Sequence, residues 1–344
     1  MLFSLEPKSA SGIIVVSIVI SAVIIATIIL MAQSGDRMVI EKLLMNTDST
    51  SIKKLIGQGG SQKDRRVAIV SMMRDPNDIH EWLNYHMLKG VTRFYIRLET
   101  VDASEDRVTQ LLLSYPQVTL QIGDPTKTPG SESHDPPGQR QMLRQRAWVS
   151  EAIQMALKDG INWIVHIDSD ELLECSGLVG DAINTDARPD TQTMVLKNFE
   201  AVYGKDKVDV VKEKSKKDGG CFTSKKVVDC STEPCASYAN GKAVGRVTPF
   251  LQEAGVHRFH YSGPLTDNAL EMQAMYLVHY ESCDFPKYMD KFLKLAGSEV
   301  SSFPFPYYNE SIAVARGGAC VKPTPACKDE FAAVYTKYRT TDES

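Results

Sequence analysis

The spacing of apolar positions divides the chain into three stretches. Residues 13–32 read IIVVSIVISAVIIATIILMA, twenty positions without a charge. Coiled as a helix they reach about 30 Å, the depth of a bilayer's hydrocarbon core. The hydroxyls of Ser17, Ser21 and Thr27 can bond back to helix carbonyls. The run predicts an uncleaved, single-pass membrane anchor behind a short tail at 1–12. Residues 33–66 hold a short amphipathic stretch at 38–44 and a glycine-rich hinge at 57–62, the make-up of a stem. From Val67 onward, strand-length apolar runs alternate with helical periodicity. That pattern predicts an α/β domain over 67–300, with a Rossmann-like, mostly parallel central sheet flanked by helices.

Within this domain, strands are expected at 67–72, 93–98, 118–122, 162–167, 193–196, 257–261 and 274–280. Helices are expected at 77–89, 104–115, 139–158 and 286–295, with Gly90 and Gly160 ending two of them. Trp82 and His86 fall on the apolar face of the first helix and read as packing residues. Residues 126–138 form a turn-rich loop. The lysine-rich, glycine-punctuated stretch 203–245 breaks the rhythm and reads as an irregular insertion, and 301–344 as a tail packed on the domain.

Composition narrows the class. With 43% hydrophobic residues, the 344-residue chain is too apolar for a disordered protein. A net charge of -4 and a pI near 6.0 lack the basic signature of a protein that grips nucleic acid. Cys221, Cys230 and Cys235 have no nearby histidine and no C-x-x-C spacing, which argues against zinc. Cys230 with Cys235, and Cys320 with Cys327, fit local disulfides of an oxidising compartment. Seven cysteines leave at least one thiol unpaired, with Cys283 or Cys175 as the candidates for a buried, inert one. Asn309-Glu310-Ser311 is an N-glycosylation sequon.

Candidate chemistry concentrates at Asp168-Ser169-Asp170-Glu171, directly after the apolar run 162–167. In an open α/β sheet, residues just beyond the carboxyl end of a strand sit where ligands bind. Two carboxylates at i and i+2 of a turn can hold one hard divalent cation, which can neutralise a departing diphosphate. An isolated D-x-D triplet is more often a solvated turn. The apolar strand before this one and the α/β half upstream favour the ligand reading.

Read as a block, Trp163-Ile164-Val165-His166-Ile167-Asp168-Ser169-Asp170-Glu171-Leu172 resembles the W-x-x-x-x-D-x-D-E-hydrophobic block of GT-A glycosyltransferases, in the family 2-like and family 92-like (DUF23) group. Glu81-Trp82-Leu83-Asn84-Tyr85-His86 and Gly90-Val91-Thr92-Arg93-Phe94-Tyr95-Ile96 resemble that group's opening. Gln145-Arg146-Ala147 resembles its Q-x-A element. Gly241-Lys242-Ala243-Val244-Gly245-Arg246 with Val256-His257, and His279-Tyr280-Glu281-Ser282, resemble its later blocks. The resemblance runs over 67–295. The chain departs from the pattern at Arg74-Asp75, at 98–102, and at Glu281, where a basic residue is common.

The resemblance implies a GT-A fold, a UDP- or GDP-sugar donor, a Mn2+ (or Mg2+) ion, and transfer to a hydroxyl of a glycan, glycoprotein or glycolipid. Asp168, Asp170 and His279 would hold the metal. Arg74, Glu99, Asp102, Gln145, Asp168, Arg246 and His257 would line the donor site. Asp170 and Glu171 would serve catalysis, with Asp267 a candidate base for the acceptor. Glu200 and Glu253 are further candidates, named only because they are acidic and follow the donor half. A tail, span, stem and catalytic domain is the plan of type II Golgi transferases. The charges flanking the span, Lys8 before it against Arg37, Lys42, Lys53 and Lys54 after it, lean towards the opposite orientation. A tethered glycan-binding protein without turnover and a metal-dependent nucleotidyltransferase are the alternatives.

Overall fold

The computed structural model describes residues 66–100, 107–125, 137–204, 221–224, 226–233, 235–263, 269–297, 303–317, 320 and 324–341. The chain divides after Gly60, and all that is described belongs to the unit that follows. The span at 13–32, the stem up to residue 65, the loop at 126–136, Asp102 and Asp267 lie outside the described residues. Among the described residues no helix is long and apolar enough to cross a membrane.

The strands β1 (Val67–Met73), β2 (Val91–Glu99), β3 (Val118–Gly123) and β4 (Trp163–His166) form the parallel half of a seven-stranded sheet, in the order β3-β2-β1-β4. Every residue of β1 is buried because both faces of the sheet are covered. Val67, Ile69 and Met73 pack with Trp82 and Leu83 of α1 (Ile79–Leu88). Ala68, Val70 and Met72 pack with Trp148, Ala152 and Ile153 of α3 (Pro137–Lys158). Helix α2 (Arg107–Leu113) links β2 to β3.

Beyond β4 the sheet continues with β9 (Ala243–Arg246), antiparallel to β4, then β6 (Thr193–Val195) and β12 (Leu270–Glu271). A second, five-stranded sheet takes the order β14-β7-β13-β5, with β8 (Lys226–Asp229) paired to β7. Its strands are β5 (Glu171–Cys175), β7 (Asn198–Gly204), β13 (Met275–His279) and β14 (Thr340–Thr341). A short hairpin joins β10 (Leu251–Glu253) to β11 (Phe259–Tyr261). Three times the chain leaves the first sheet and enters the second within a few residues: β4 to β5, β6 to β7, and β12 to β13. The D-x-D turn is the first of these crossings.

The elements differ from the expected pattern in three places. The acidic turn leads straight into a strand not expected from the sequence: Glu171 opens β5, which pairs with β13 and is buried except at the half-buried Glu174. The stretch 203–245, expected to be irregular, contains β8 and most of β9, an interior strand of the first sheet. Residues beyond 301 supply two helices, α6 (Pro306–Arg316) and α7 (Pro325–Arg339), which follow α5 (Phe285–Ala296) and bury Tyr288, Phe292, Tyr307, Phe331 and Tyr335 together. The remaining helix, α4 (Val179–Asp186), follows β5.

The E-W-L-x-Y-H motif is explained by the free edge of β5. Trp82 Nε1 donates to the Glu171 carbonyl at 2.8 Å, Tyr85 Oη to the Leu173 carbonyl at 3.1 Å, and Lys89 Nζ to the Cys175 carbonyl at 2.7 Å. His86 Nε2 accepts from the Leu173 N–H at 3.3 Å while Nδ1 donates to the Trp82 carbonyl at 2.9 Å. Side chains of α1 thus satisfy the edge that a further strand would otherwise take. Burial drives the His86 pKa down to about 3, which keeps the ring neutral for this donor–acceptor role.

Three disulfides join Cys221 to Cys283, Cys230 to Cys235 and Cys320 to Cys327, leaving Cys175 as a buried thiol. Cys283, offered above as a candidate free thiol, is therefore paired. The sequon falls in α6, where Asn309 Nδ2 donates to the Phe303 carbonyl at 2.7 Å and Ser311 is fully buried.

Candidate metal and donor site

The crossing from β4 to β5 turns two carboxylates two residues apart towards different partners. Asp168 Oδ1 accepts from Gln145 Nε2 at 3.1 Å and its Oδ2 from Lys242 Nζ at 2.5 Å. Burial pushes the Asp168 pKa up, but the Lys242 ammonium outweighs it and holds the carboxyl at about 2. Asp170 instead faces β13. Its carbonyl accepts from the Tyr280 N–H at 2.7 Å, extending the β5–β13 ladder by one residue, and its Oδ2 lies 3.5 Å from His279 Nε2.

His279 is the last residue of β13, and Glu281 lies two positions on, its Oε2 3.7 Å from the same Nε2. Asp170, His279 and Glu281 offer one oxygen, one nitrogen and one oxygen within 4.8 Å of one another. Ligand bonds of roughly 2.1–2.5 Å hold neighbouring ligand atoms roughly 3–3.5 Å apart, so a small contraction would close this set on one ion. Asp170 is 34% exposed and opens the cluster to solvent, whereas His279 and Glu281 are buried. Two carboxylates suit Mg2+ or Mn2+, and the imidazole favours Mn2+. Burial lowers the His279 pKa, but the surrounding Asp170, Glu200 and Glu281 carboxylates outweigh it and raise it to about 10.

The acidic side chains here are tied into one network: Asp168, Asp170, Glu171, Glu200 and Glu281 are linked to Lys242, Lys291, Arg339 and the His279 imidazole.

Lys242 fixes the D-x-D-E turn from beneath. It is 1% exposed and sits 3.6 Å from Glu171 Oε2. Glu171 Oε2 accepts the Asp168 N–H at 2.7 Å, and Oε1 accepts from Tyr238 Oη. Burial is the main cause that lifts the Glu171 pKa to about 7. Gly241 precedes Lys242 for a steric reason: a Cβ there would collide with the Leu196 carbonyl.

A cavity of about 320 Å³ lies at the carboxyl ends of β1, β2 and β3, within the size range of small-molecule sites. Arg74 and Glu99 line it, together with Lys294 of α5. Both Glu99 oxygens are occupied, by Arg97 Nε at 3.0 Å and Arg144 Nε at 2.7 Å. Helix α5 connects this cavity to the cluster. Its Lys287 reaches the Asp75 carbonyl at 3.1 Å and its Lys291 the Glu281 carboxylate at 2.9 Å.

The sequence-named residues therefore fall into separate places. Asp170 and His279 meet in the cluster. Asp168, Glu171 and Gln145 meet beside it around Lys242, and His257 joins that side through an edge-on contact with Tyr238 at 5.2 Å. Arg246 lies at the far end of β4, paired with Trp163, stacked on its ring at 4.5 Å and donating to the Thr191 and Arg188 carbonyls. The structure does not bring it to the cluster. Glu253 is held by Arg146 at 2.9 and 3.0 Å, and Glu200 is enclosed by Ala236, Ser237 and Arg339. Sequence reading assigned no role to Lys242, Ser237, Tyr238, Lys294 or Arg339, and noted Glu281 only as a departure. The spacing of His279 and Glu281 could have shown the last, since i and i+2 share one face of a strand.

The fold and the cluster define an α/β protein with a Rossmann-like parallel half and an acidic, cation-suited centre where its two sheets meet. No protein-family model matches the chain. It is similar to two glycosyltransferase-like proteins of Arabidopsis thaliana. One is 25% identical over 230 residues, 59% of this chain and 51% of the relative; the other is 24% identical over 236 residues, 61% and 45%. The chain spans about half the length of these curated relatives.

Proposed function

We propose that the chain is a membrane-anchored, metal-dependent glycosyltransferase of the GT-A type. It takes a sugar from a UDP- or GDP-sugar and passes it to a hydroxyl of a glycan, glycoprotein or glycolipid. Residues 13–32 are its single-pass anchor, and the secretory-pathway lumen its compartment, a setting in keeping with three disulfides. The observation that carries the reading is the Asp170–His279–Glu281 cluster at the carboxyl end of a parallel half-sheet, joined through α5 to the Arg74–Lys294 cavity. The glycosyltransferase-like relatives supply the reaction class.

In this reading Asp170, Glu281 and His279 Nε2 hold the divalent ion, which neutralises a leaving diphosphate when bound. Arg74 and Lys294, which both line the cavity, would meet the donor there. Lys242 keeps Asp168 ionised and the turn fixed, so that Asp170 is presented without reorganisation. The acceptor base falls to Asp267, because Glu200 and Glu253 are each committed to an arginine.

The test is donor hydrolysis by the purified full-length chain across a panel of UDP- and GDP-sugars, with Mn2+ and with EDTA. Release of nucleoside diphosphate that needs both Mn2+ and Asp170 is the expected result. Pyrophosphate release would replace it with a nucleotidyltransferase. A folded protein that neither binds nor hydrolyses any donor would overturn the assignment.

A further inference from the structure

We infer that Arg339, at the end of the last helix, is a positioning residue that acts through Glu200 to hold the His279 imidazole with Nε2 towards Asp170 and Glu281. This rests on the reading of those three groups as cation ligands.

The two ring nitrogens of His279 face different surroundings. Nε2 looks out to Asp170 at 3.5 Å and Glu281 at 3.7 Å. Nδ1 looks inward, to Ser237 Oγ at 3.2 Å and Glu200 Oε1 at 3.5 Å. An imidazole that gives its Nδ1–H to a carboxylate or hydroxyl has its Nε2 lone pair free for a ligand, and the inner partner fixes the ring plane. Glu200 can do this only if it is itself held still.

Four donors hold it. The Ala236 and Ser237 N–H groups donate to its carboxylate at 2.8 and 3.1 Å, the Ser237 hydroxyl donates to Oε1, and Arg339 Nη1 donates to Oε2 at 3.0 Å. The other arm of the same guanidinium, Nη2, donates to the Ala201 carbonyl at 2.9 Å and the Glu281 carbonyl at 2.8 Å. One fully buried side chain thus ties the strand that carries Glu200 to the end of the strand that carries His279 and Glu281. A lysine supplies the charge but not the planar fork that reaches these acceptors in different directions. The ordering of β7, β13 and α7 around Arg339 makes the C-terminal segment part of the site, though it lies sixty residues beyond His279 in the chain.

A purely structural weld between α7 and β7 would show in thermal stability and leave ion affinity in the folded protein untouched. The test is therefore Mn2+ binding, followed by electron paramagnetic resonance on the full-length chain, for Arg339→Gln, Arg339→Lys, Glu200→Gln and the Arg339→Gln/Glu200→Gln double variant. Loss of such an outer partner weakens metal binding roughly 10–100-fold. That weakening is expected for Arg339→Gln and Glu200→Gln, with a reduced nitrogen coupling from the imidazole to Mn2+. Arg339→Lys should recover part of the affinity. The double variant should be no weaker than the worse single one, because both act along one path. Lys337→Ala, on the exposed face of the same helix, should bind as the native chain does.

Native affinity and nitrogen coupling in folded Arg339→Gln would overturn the inference while leaving the metal site standing. Should that variant fail to fold, the same result in Glu200→Gln is decisive. Absence of Mn2+ binding by the native chain would remove the metal reading itself, and this inference with it.

Discussion

In the first sheet, β1 and β2 are lined on both faces by aliphatic and aromatic side chains from α1 and α3. In the second sheet, β5, β7 and β13 bury Glu171, Glu200 and His279, with Glu281 immediately beyond. Apolar burial stabilises the first directly. Buried ions in the second cost desolvation and are stable only as a fully paired set. Between the two lies the D-x-D-E turn, where Asp168 belongs to the paired set and Asp170 faces the outward cluster. The comparison teaches that the parallel half provides the platform, while the second sheet keeps a charge network that folding alone does not require.

Lys242 gives the sharpest way to break this comparison. Lys242→Met leaves Asp168 and Glu171 buried without their cation and should cost about 3–5 kcal/mol in denaturant unfolding. Ile69→Val in β1 should cost about 0.5–1.5 kcal/mol. If the two variants are equally mild, the second sheet does not depend on its ion pairs.

The disulfides differ in the same direction. Cys221–Cys283 closes a separation of 62 residues around the second sheet, Cys230–Cys235 one of only 5. On chain-entropy grounds, removing the first by paired alanines should cost about 4 kcal/mol and the second about 2 kcal/mol. Equal melting temperatures for the two variants would contradict this.

A further effect, small within any one pH unit, concerns acid stability. His86 titrates at about 3 when folded against 6.5 when exposed, so between these values the unfolded chain binds more protons. Stability therefore falls as pH drops below 6.5, by up to about 1.4 kcal/mol per pH unit from this group. His86→Gln should flatten that limb of the unfolding curve, and an unchanged slope would show that His86 does not titrate in this way.

How much of this could be read from the sequence follows the same division. The strands β1 to β4 and helices α1 and α3 were legible because continuous apolar runs and helical periodicity record burial on known faces. That Asp170 and His279 meet was legible through motif resemblance. β5 was hidden because its first residue is an acid within the D-x-D-E block, and β9 because a lysine-rich stretch precedes it. Lys242, Glu200 and Arg339 were illegible as a set: they come from β9, β7 and α7, and nothing in the sequence links Glu200, named only as an acidic candidate, to Lys242 or Arg339. Only the crossings between the sheets bring them into one buried network. Arg246 shows the converse, since a shared motif placed it at the site while its position opposite Trp163 places it at the other end of β4.

The proposed ion site consists of Asp170, His279 and Glu281, with Asp168 outside it and committed to Lys242. Calorimetric titration of Mn2+ into the full-length chain, into Asp170→Asn and into Asp168→Asn tests this directly. The account predicts that Asp170→Asn loses binding while its melting temperature stays near the native value. It predicts that Asp168→Asn still binds Mn2+ with less stability. Retained binding in Asp170→Asn, or loss of binding in a folded Asp168→Asn, would contradict it.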